Sequence, residues 1–452
     1  MAPPYERPSV PQPPEAYQGA EGWKVAQPAD EVARGAWWRV YHDPLLDQLE
    51  GRIDSSNQDI RAAFARLEQA RAQTRIARAE YYPTVTANAS AQHYRNSMRG
   101  PNYSAAMPTV TSDLVLNTDV SYEADVWGRV RNSVAASRFG EQASAADFAV
   151  LSLAVHAELA SDYFILRGAA AEQEILDRTV SDYARALALT ERLHEGGLAA
   201  KADVDEARAQ LESARTRAAE THLLRVQTEH AIAVLLGESA STFHLDVQPL
   251  SLKISPPPID PGLPSELLER RPDIAAAERR VAAANAEIGV ARAAYFPVFN
   301  LLSAAGFEST QASTWITAPA RVWSFGPQAM VTLFDAGRRR AQTVLTRAAY
   351  EEKVAEYRGT VLAAYQDVED NLTALHDLEL ESRSEAAAVD ATAGALRQSQ
   401  YQYQTGLVTY LQVVVTENAA LGARLDAVEI GIRRLNASVL LIKALGGGAS
   451  GQ

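Results

Sequence analysis

The positions of the prolines constrain this chain more than any other feature of its sequence. Prolines crowd residues 3–44 and 249–272, whereas Thr109–Gln248 and Gln328–Gln452 contain none. A proline inside a helix costs about 3 kcal/mol, so spans without proline are free to form unusually long helices. The sequence therefore predicts a mostly α-helical chain whose longest elements lie in these two spans.

Apolar residues in both spans recur in alternating steps of three and four, which is the spacing of a coiled-coil seam. The first seam comprises Leu176, Val180, Tyr183, Leu187 and Thr190, and the second comprises Val354, Tyr357, Val361, Ala364, Val368, Asn371, Leu375 and Leu378. The pattern predicts long helices over about 132–194 and 337–403, each followed by another helix, over about 200–236 and 409–445. At 1.5 Å per residue the two longer helices would extend roughly 90 to 100 Å, so we expect a very elongated chain.

The sequence is also internally duplicated. The run Ile76–Pro83 recurs as Val290–Pro297, and Asp125–Arg129 corresponds to Asp335–Arg338. Self-similarity at this scale indicates two copies of one structural unit. We therefore predict an N-terminal extended segment over 1–39, a first repeat over 40–250 and a second repeat over 251–452, joined by a linker centred on Pro256–Pro258.

Each repeat contains a block in which polar and apolar residues alternate, as Thr84, Thr86 and Asn88 do with Val85 and Ala87. This alternation predicts strands over about 84–98, 112–125, 298–309 and 322–335. It suits a strand between water and lipid, and equally a half-buried hairpin of a soluble protein. Aromatic side chains nearby are assigned to a membrane-interface belt (Tyr122, Trp127, Trp323) or to packing where strands meet helices (Tyr81, Tyr82, Phe296).

Four strands cannot close a barrel, and an open edge in lipid leaves backbone groups unpaired. A membrane barrel would therefore require several copies of the chain. Two copies would supply eight strands and three would supply twelve, and the residues alone leave both open. The chief alternative is a soluble coiled-coil scaffold in which the strands pack on one another.

Composition excludes several other classes of protein. The net charge of −13 disfavours a nucleic-acid partner, and the absence of cysteine excludes disulfides and thiolate sites. His222 and His230 lie eight residues apart, which is not a metal-ligand spacing on a helix, and the glycines at 446–448 lack the lysine of a phosphate loop. We expect no catalytic constellation, no metal and no cofactor. We also expect no helix apolar enough to cross a membrane.

The whole chain resembles the outer membrane factor family of TolC- and OprM-like ducts, particularly its NodT-like lipoprotein branch. The resemblance rests on the duplicated helix-strand-strand-helix unit, on Tyr82-Pro83 and Phe296-Pro297, on the turns Gly197-Leu198 and Gly406-Leu407, and on the opening Tyr5–Pro8. It implies a homotrimer with a 12-strand β-barrel in the outer membrane, continued by a 12-helix α-barrel across the periplasm. The implied function is the passive exit duct of a tripartite efflux pump, working with a periplasmic adaptor and an RND-type inner-membrane pump.

The resemblance also implies a lipid (palmitate) anchor on an N-terminal cysteine. This sequence has no cysteine, and the residues after Met1 contain no basic n-region or apolar h-region of an export signal, so we expect that the acylated cysteine and the signal lie outside it. A duct of the same fold serving protein secretion is the remaining alternative, and an enzyme is the least expected reading.

Three groups of site residues follow from the resemblance. The periplasmic gate is expected at Asp203, Glu206, Leu411, Gln412 and Val415, and adaptor docking at Gly197, Leu198, Gly406, Leu407 and Val408. The junction between barrel and helices is expected at Tyr82, Pro83, Gly128, Phe296, Pro297 and Gly337. In the second repeat Gln412 and Val415 stand where the family carries acids, so the expected constriction is partly apolar and partly acidic. On residue chemistry alone, Asp203 and Glu206 also suit a helix start, and Gly197 and Gly406 suit helix C-caps.

Overall fold

The computed structural model describes residues 3–10, 35–100, 104, 106, 108–251, 254–259 and 270–447. Much of the predicted N-terminal segment (11–34) and parts of the predicted linker (252–253, 260–264) lie outside the described residues. The described chain is mostly helical with one small sheet. Its elements are α1 Pro44–Ser56, α2 Gln58–Ala79, β1 Thr84–Arg95, β2 Val110–Ala124, α3 Arg129–Glu195, α4 Lys201–Leu235, α5 Pro272–Ala293, β3 Val298–Ser309, β4 Arg321–Met330, α6 Arg338–Gln404 and α7 Tyr410–Ala444.

The two longest helices, α3 and α6, each contain 67 residues, and the helices that follow them each contain 35. Seam positions in both long helices are buried, among them Leu176, Tyr183, Val361 and Val368. A core helix of this length is stabilised mainly by burying such a stripe, because propensity alone contributes little.

The chain divides into two compact units, and each unit takes residues from both sequence repeats. The first unit comprises Met1–Ser9, Arg66–Ala145 and Ala276–Arg358, and the second comprises Val10–Ala65, Ala146–Ala275 and Gly359–Gln452. The division does not follow the repeat boundary near residue 250, because corresponding segments of the two repeats pack side by side.

The first unit contains a four-stranded antiparallel sheet in the order β1-β2-β3-β4. Thr86 pairs with Asp119, Asp119 with Ala304, and Ala304 with Ser324. Because successive side chains point to opposite faces, this register sorts them into two sets. One face is largely polar and carries Thr84, Thr86, Asn88, Gln92, Asp113, Asn117, Asp119, Asn300, Ser324 and Gln328; the other is largely apolar and carries Val85, Ala89, Leu114, Leu116, Phe299, Leu301, Phe307, Trp323 and Phe325.

No described element of the chain covers the apolar face of this sheet. Trp323 is 80% exposed and Phe325 is 66% exposed. Monomeric soluble proteins rarely leave contiguous apolar surface of this kind in water. The sheet therefore requires lipid or another protein against this face.

β4 ends at Met330, before the predicted end near residue 335. Leu333 and Phe334 beyond it are 89% and 86% exposed. Asp335 precedes α6, and its carboxylate accepts hydrogen bonds from the backbone N–H groups of Gly337 and Arg339 at the start of that helix.

The core of the second unit forms where α3 meets α1, α4 and α7. Leu159 and Leu166 of α3 are fully buried, as are Leu46 of α1, Ile232 of α4 and Leu435 of α7. Gly168 leaves room for the side chain of Ile432, because a Cβ there would lie 2.1 Å from Cδ1 of Ile432.

One expectation about membrane helices was wrong. Among the described residues, α3 contains an 18-residue window that is long and apolar enough to cross a membrane. Half of that window is buried inside the protein, and the core helix of a soluble protein has the same composition. The window is therefore weak evidence for a membrane span.

Candidate functional site

The first helical hairpin of the second unit ends in a glycine turn. Its backbone N–H groups at Gly197 and Leu198 donate to the carbonyls of His194 and Leu193, at 2.9 and 2.8 Å. Gly197 has φ +73°, a left-handed conformation that glycine adopts without a Cβ penalty. This is a Schellman C-cap, which ends α3 and turns the chain into α4.

The second hairpin ends in the same way. Gly406 and Leu407 donate to the carbonyls of Tyr403 and Gln402, at 3.0 and 2.9 Å, and Gly406 has φ +74°. The leucine after each glycine projects into solvent, Leu198 being 80% exposed and Leu407 73% exposed. Each tip therefore presents one apolar side chain on a rigid turn.

A small apolar cluster brings the start of α4 beside the start of α7. Ala207 packs with Tyr410, Val413 and Val414, and all four are buried. The ring of Tyr403 lies 5.5 Å from that of Tyr410. Burial raises the pKa of the Tyr403 hydroxyl, and the nearby Asp203 carboxylate raises it further. The predicted gate residues of the two repeats therefore lie on neighbouring helices.

The gate residues differ in what their side chains do. Asp203 accepts a hydrogen bond from the backbone N–H of Ala200 at 3.1 Å, so its carboxylate caps the start of α4. Glu206 is half-buried and accepts from the amide of Gln210 at 3.3 Å. Leu411 and Val415 are 59% and 55% exposed, and Gln412 is exposed beside them. The second repeat thus presents an uncovered, mainly apolar surface, and the first presents carboxylates with local hydrogen bonds.

The predicted junction residues all belong to the first unit. The indole Nε1 of Trp127 donates to the carbonyl of Pro297 at 2.8 Å, and its ring stacks on Phe296 at 4.6 Å. Gly128 and Gly337, with φ +81° and +88°, allow the chain to bend from strand to helix. Tyr82 and Pro83 lie in the turn between α2 and β1, where Tyr82 is 72% exposed.

Two aromatic residues assigned from the sequence differ in their contacts within the chain. Trp127, predicted for a membrane-interface belt, contacts the other repeat at Phe296 and Pro297. Tyr82, predicted to pack at the junction, is exposed in the single chain. Sequence spacing could not reveal the contact of Trp127, since Trp127 and Pro297 are 170 residues apart.

Charged groups fix the start of α3 next to this junction. Asp125 accepts hydrogen bonds from the backbone N–H groups of Val130 and Arg131, at 3.0 and 2.9 Å. Burial opposes ionisation of Asp125, but these hydrogen bonds and the Arg131 guanidinium outweigh it and lower the pKa of its carboxyl. Arg129 bridges Glu123 and Glu80 at 2.7 and 2.9 Å.

A buried polar cluster in the second unit was missed by the sequence analysis. His156 of α3 contacts Glu50 of α1 at 2.5 Å through Nδ1 and Asp54 at 3.1 Å through Nε2. Glu50 is fully buried. No spacing rule connects these residues, because Glu50 and His156 are 106 positions apart. Within the described residues, no group of histidine and carboxylate side chains has the geometry of a metal site.

An uncovered amphipathic sheet in a chain of long paired helices is the architecture of an outer-membrane channel subunit. The chain belongs to the outer membrane efflux protein family, whose model matches residues 51–238 and 263–447. It is therefore an outer-membrane component of an efflux system, in a family of channels and not of enzymes.

Similar proteins agree with this placement. The chain is 31% identical to the toluene efflux pump outer membrane protein TtgC of Pseudomonas putida, over 99% of this chain and 92% of that protein. It is 28% identical to a Salmonella typhimurium protein named "Probable outer membrane lipoprotein SilC", over 99% of this chain and 95% of that protein. The solved structure of the outer-membrane channel OprN matches with a TM-score of 0.87 and 29% identity, over 99% of both chains.

Proposed function

We propose that three copies of this chain close one 12-stranded barrel in the outer membrane and continue it as a duct of twelve helices. The observation that carries this proposal is the four-stranded sheet with one apolar and one polar face. Lipid suits the first face and a water-filled lumen suits the second.

The edges of the sheet support a barrel shared between copies. β1 pairs only with β2 and β4 only with β3 among the described residues, so each has an outer edge without a strand partner. An unpaired edge in lipid costs several kcal/mol for each backbone group, and closure of β4 of one copy on β1 of the next removes this cost. The choice of three copies over two rests on the likeness to the outer membrane factor family.

The helix tips are proposed as the gate. Leu411 and Val415 would narrow the duct with apolar side chains, while Gln412, Asp203 and Glu206 would supply its polar part. A constriction lined by apolar groups excludes water, and with it dissolved solutes, until it widens.

The turns at Gly197-Leu198 and Gly406-Leu407 are proposed as the docking points of a periplasmic adaptor, with Val408 at their edge. Two exposed leucines on rigid turns suit an apolar contact that tolerates no charge. Leu407→Glu should abolish pump-dependent export while Leu407→Met retains it, and both variants should form the native oligomer. Full export by Leu407→Glu would remove this turn from the docking surface.

The names of two relatives support proposals about the transported molecules and the membrane anchor. TtgC belongs to a toluene efflux pump, and we propose that this duct likewise carries small molecules, delivered by an inner-membrane pump that supplies the energy. The lipoprotein name of SilC supports a lipid anchor on the mature chain.

The native mass of the protein released from detergent micelles tests the proposal. A species of three times 48.9 kDa that precipitates without detergent is the expected result. A species of twice 48.9 kDa would indicate two copies and a barrel of eight strands in place of twelve. A detergent-free monomer would replace the duct with a soluble coiled-coil scaffold.

A further inference from the structure

The buried cluster of Glu50, Asp54 and His156 has no role in the duct as proposed. It joins α1 to α3 at the edge of the apolar core of the second unit. His156 is 6% exposed and Glu50 0% exposed, while the side chain of Asp54 is 69% exposed and reaches water. The indole of Trp38 stacks on the imidazole of His156 at 4.8 Å, with an angle of 15° between the rings.

The two contacts of His156 need two protons. Each nitrogen faces a carboxylate oxygen, Glu50 Oε2 at 2.5 Å and Asp54 Oδ1 at 3.1 Å. Neutral imidazole has one N–H and one lone pair, so both hydrogen bonds form together only when a second proton lies on the ring or on the Glu50 carboxyl that faces it. Loss of the proton would turn a lone pair toward one carboxylate and would also remove the cation from the face of Trp38.

The surroundings of Glu50 also favour a proton on the Glu50–His156 pair. Its second oxygen, Oε1, is buried without a hydrogen-bond partner, as is Oδ1 of Asp47 one turn earlier on α1. An ionised carboxylate with an unsolvated oxygen is costly unless a cation lies beside it. The charged groups that act on the pair are Asp47 and Asp54, both of which disfavour further negative charge. Arg52 of the same helix is paired with Glu238 instead.

We propose that Glu50, Asp54 and His156 form a proton-operated clamp, which holds α1 and the Trp38 segment on α3 while His156 is protonated and loosens when it is not. The clamp would make the packing of α1 respond to the pH of the periplasm.

The direction of the pH effect follows from the charges. Burial lowers the pKa of His156, but the hydrogen bond and charge of Glu50, with help from Asp54, outweigh it and raise that pKa above 6.5. Burial raises the pKa of Glu50 to about 7. Because both pKa values are raised, the folded state binds more protons than the unfolded chain, so the contribution of the clamp is complete below the unfolded pKa of Glu50, 4.5, and is lost as pH rises through the folded pKa values of Glu50 and His156.

Hydrogen exchange in α1, measured on the full chain in detergent and corrected for intrinsic rates, tests the clamp. We expect protection of α1 amides to fall about tenfold as pH rises from about 6 to about 8.5. Glu50→Gln and His156→Gln should remove this dependence. His244→Gln is the matched control, because His244 pairs with Glu229 while remaining 77% exposed. Protection that is independent of pH, or that falls equally in Glu50→Gln, would overturn the proposal.

Trp38 provides a second measurement that does not require a core substitution. The emission of Trp38 is the difference in fluorescence between the native protein and Trp38→Phe. Protonated imidazole quenches a stacked indole, so this emission should increase as pH rises, with a midpoint above 6.5. Asp54→Asn changes an exposed side chain and should move that midpoint down by roughly half a pH unit. An unmoved midpoint would show that the ring titrates independently of α1, which the clamp does not allow.

Discussion

Gly306 lies opposite Asn117 in the register of β2 and β3, and backbone fills the space beside its Cα. A Cβ at this position would lie 2.1 Å from the carbonyl oxygen of Leu116 and 2.6 Å from Cα of Asn117. Gly306→Ala should therefore force the two strands apart and destabilise the sheet by about 1 to 3 kcal/mol. Gly326→Ala in β4 is the control, because nothing lies within 4 Å of its Cβ position. Thermal unfolding in detergent measures both, and equal midpoints would contradict the close approach.

Asp203 shows how a residue assigned to a gate can have a structural role as well. Because its carboxylate accepts from the backbone N–H of Ala200, Asp203→Ala should destabilise the first turn of α4 by about 0.5 to 1.5 kcal/mol. Asp203→Asn retains an acceptor and should lose less. Hydrogen exchange at 201–206 measures the effect; unchanged exchange in the alanine variant would leave Asp203 with no capping role.

At the scale of the helices, the gate prediction concerns the exposed face at the start of α7. Replacing Leu411 and Val415 together by serine should raise the leak conductance of the reconstituted protein severalfold, because a polar lining keeps a narrow passage hydrated. Leu223→Ser with Val234→Ser, on exposed positions of α4 away from the tips, supplies a matched control. Conductance that rises equally in both pairs, or in neither, would remove Leu411 and Val415 from the gate.

The helices themselves were largely predictable, and their partners were not. Long helices were predicted over about 132–194 and 337–403, and the structure has them at Arg129–Glu195 and Arg338–Gln404. Proline exclusion and heptad spacing are local properties that act along one helix. The contact of Ala207 with Val413 joins two repeats, and no periodicity within either helix specifies it.

At the scale of the whole molecule, the shared barrel predicts a contact that one chain cannot make with itself. The chain has no cysteine, so a cysteine at Ala89 of β1 combined with one at Trp323, Phe325 or Pro327 of β4 tests the closure. These positions share the apolar face, and at least one pairing should give oxidised trimers on a denaturing gel. Two control variants, Leu116→Cys on β2 and Leu301→Cys on β3, place one cysteine each on an inner strand. Both should remain monomers on the denaturing gel after oxidation. Dimers as the largest product would indicate two copies, and monomers throughout would contradict the shared barrel.

The sequence by itself determined where this chain is helical, where it alternates as strands and where glycine ends a helix, because these depend on residues within one or two turns of each other. Only the tertiary structure decided that the repeats interleave into two compact units, that Trp127 bonds to Pro297, and that Glu50 meets His156 in the core. Those contacts join residues more than a hundred positions apart. They arise when buried polar groups must find hydrogen-bond partners, a condition that exists only after the helices have packed.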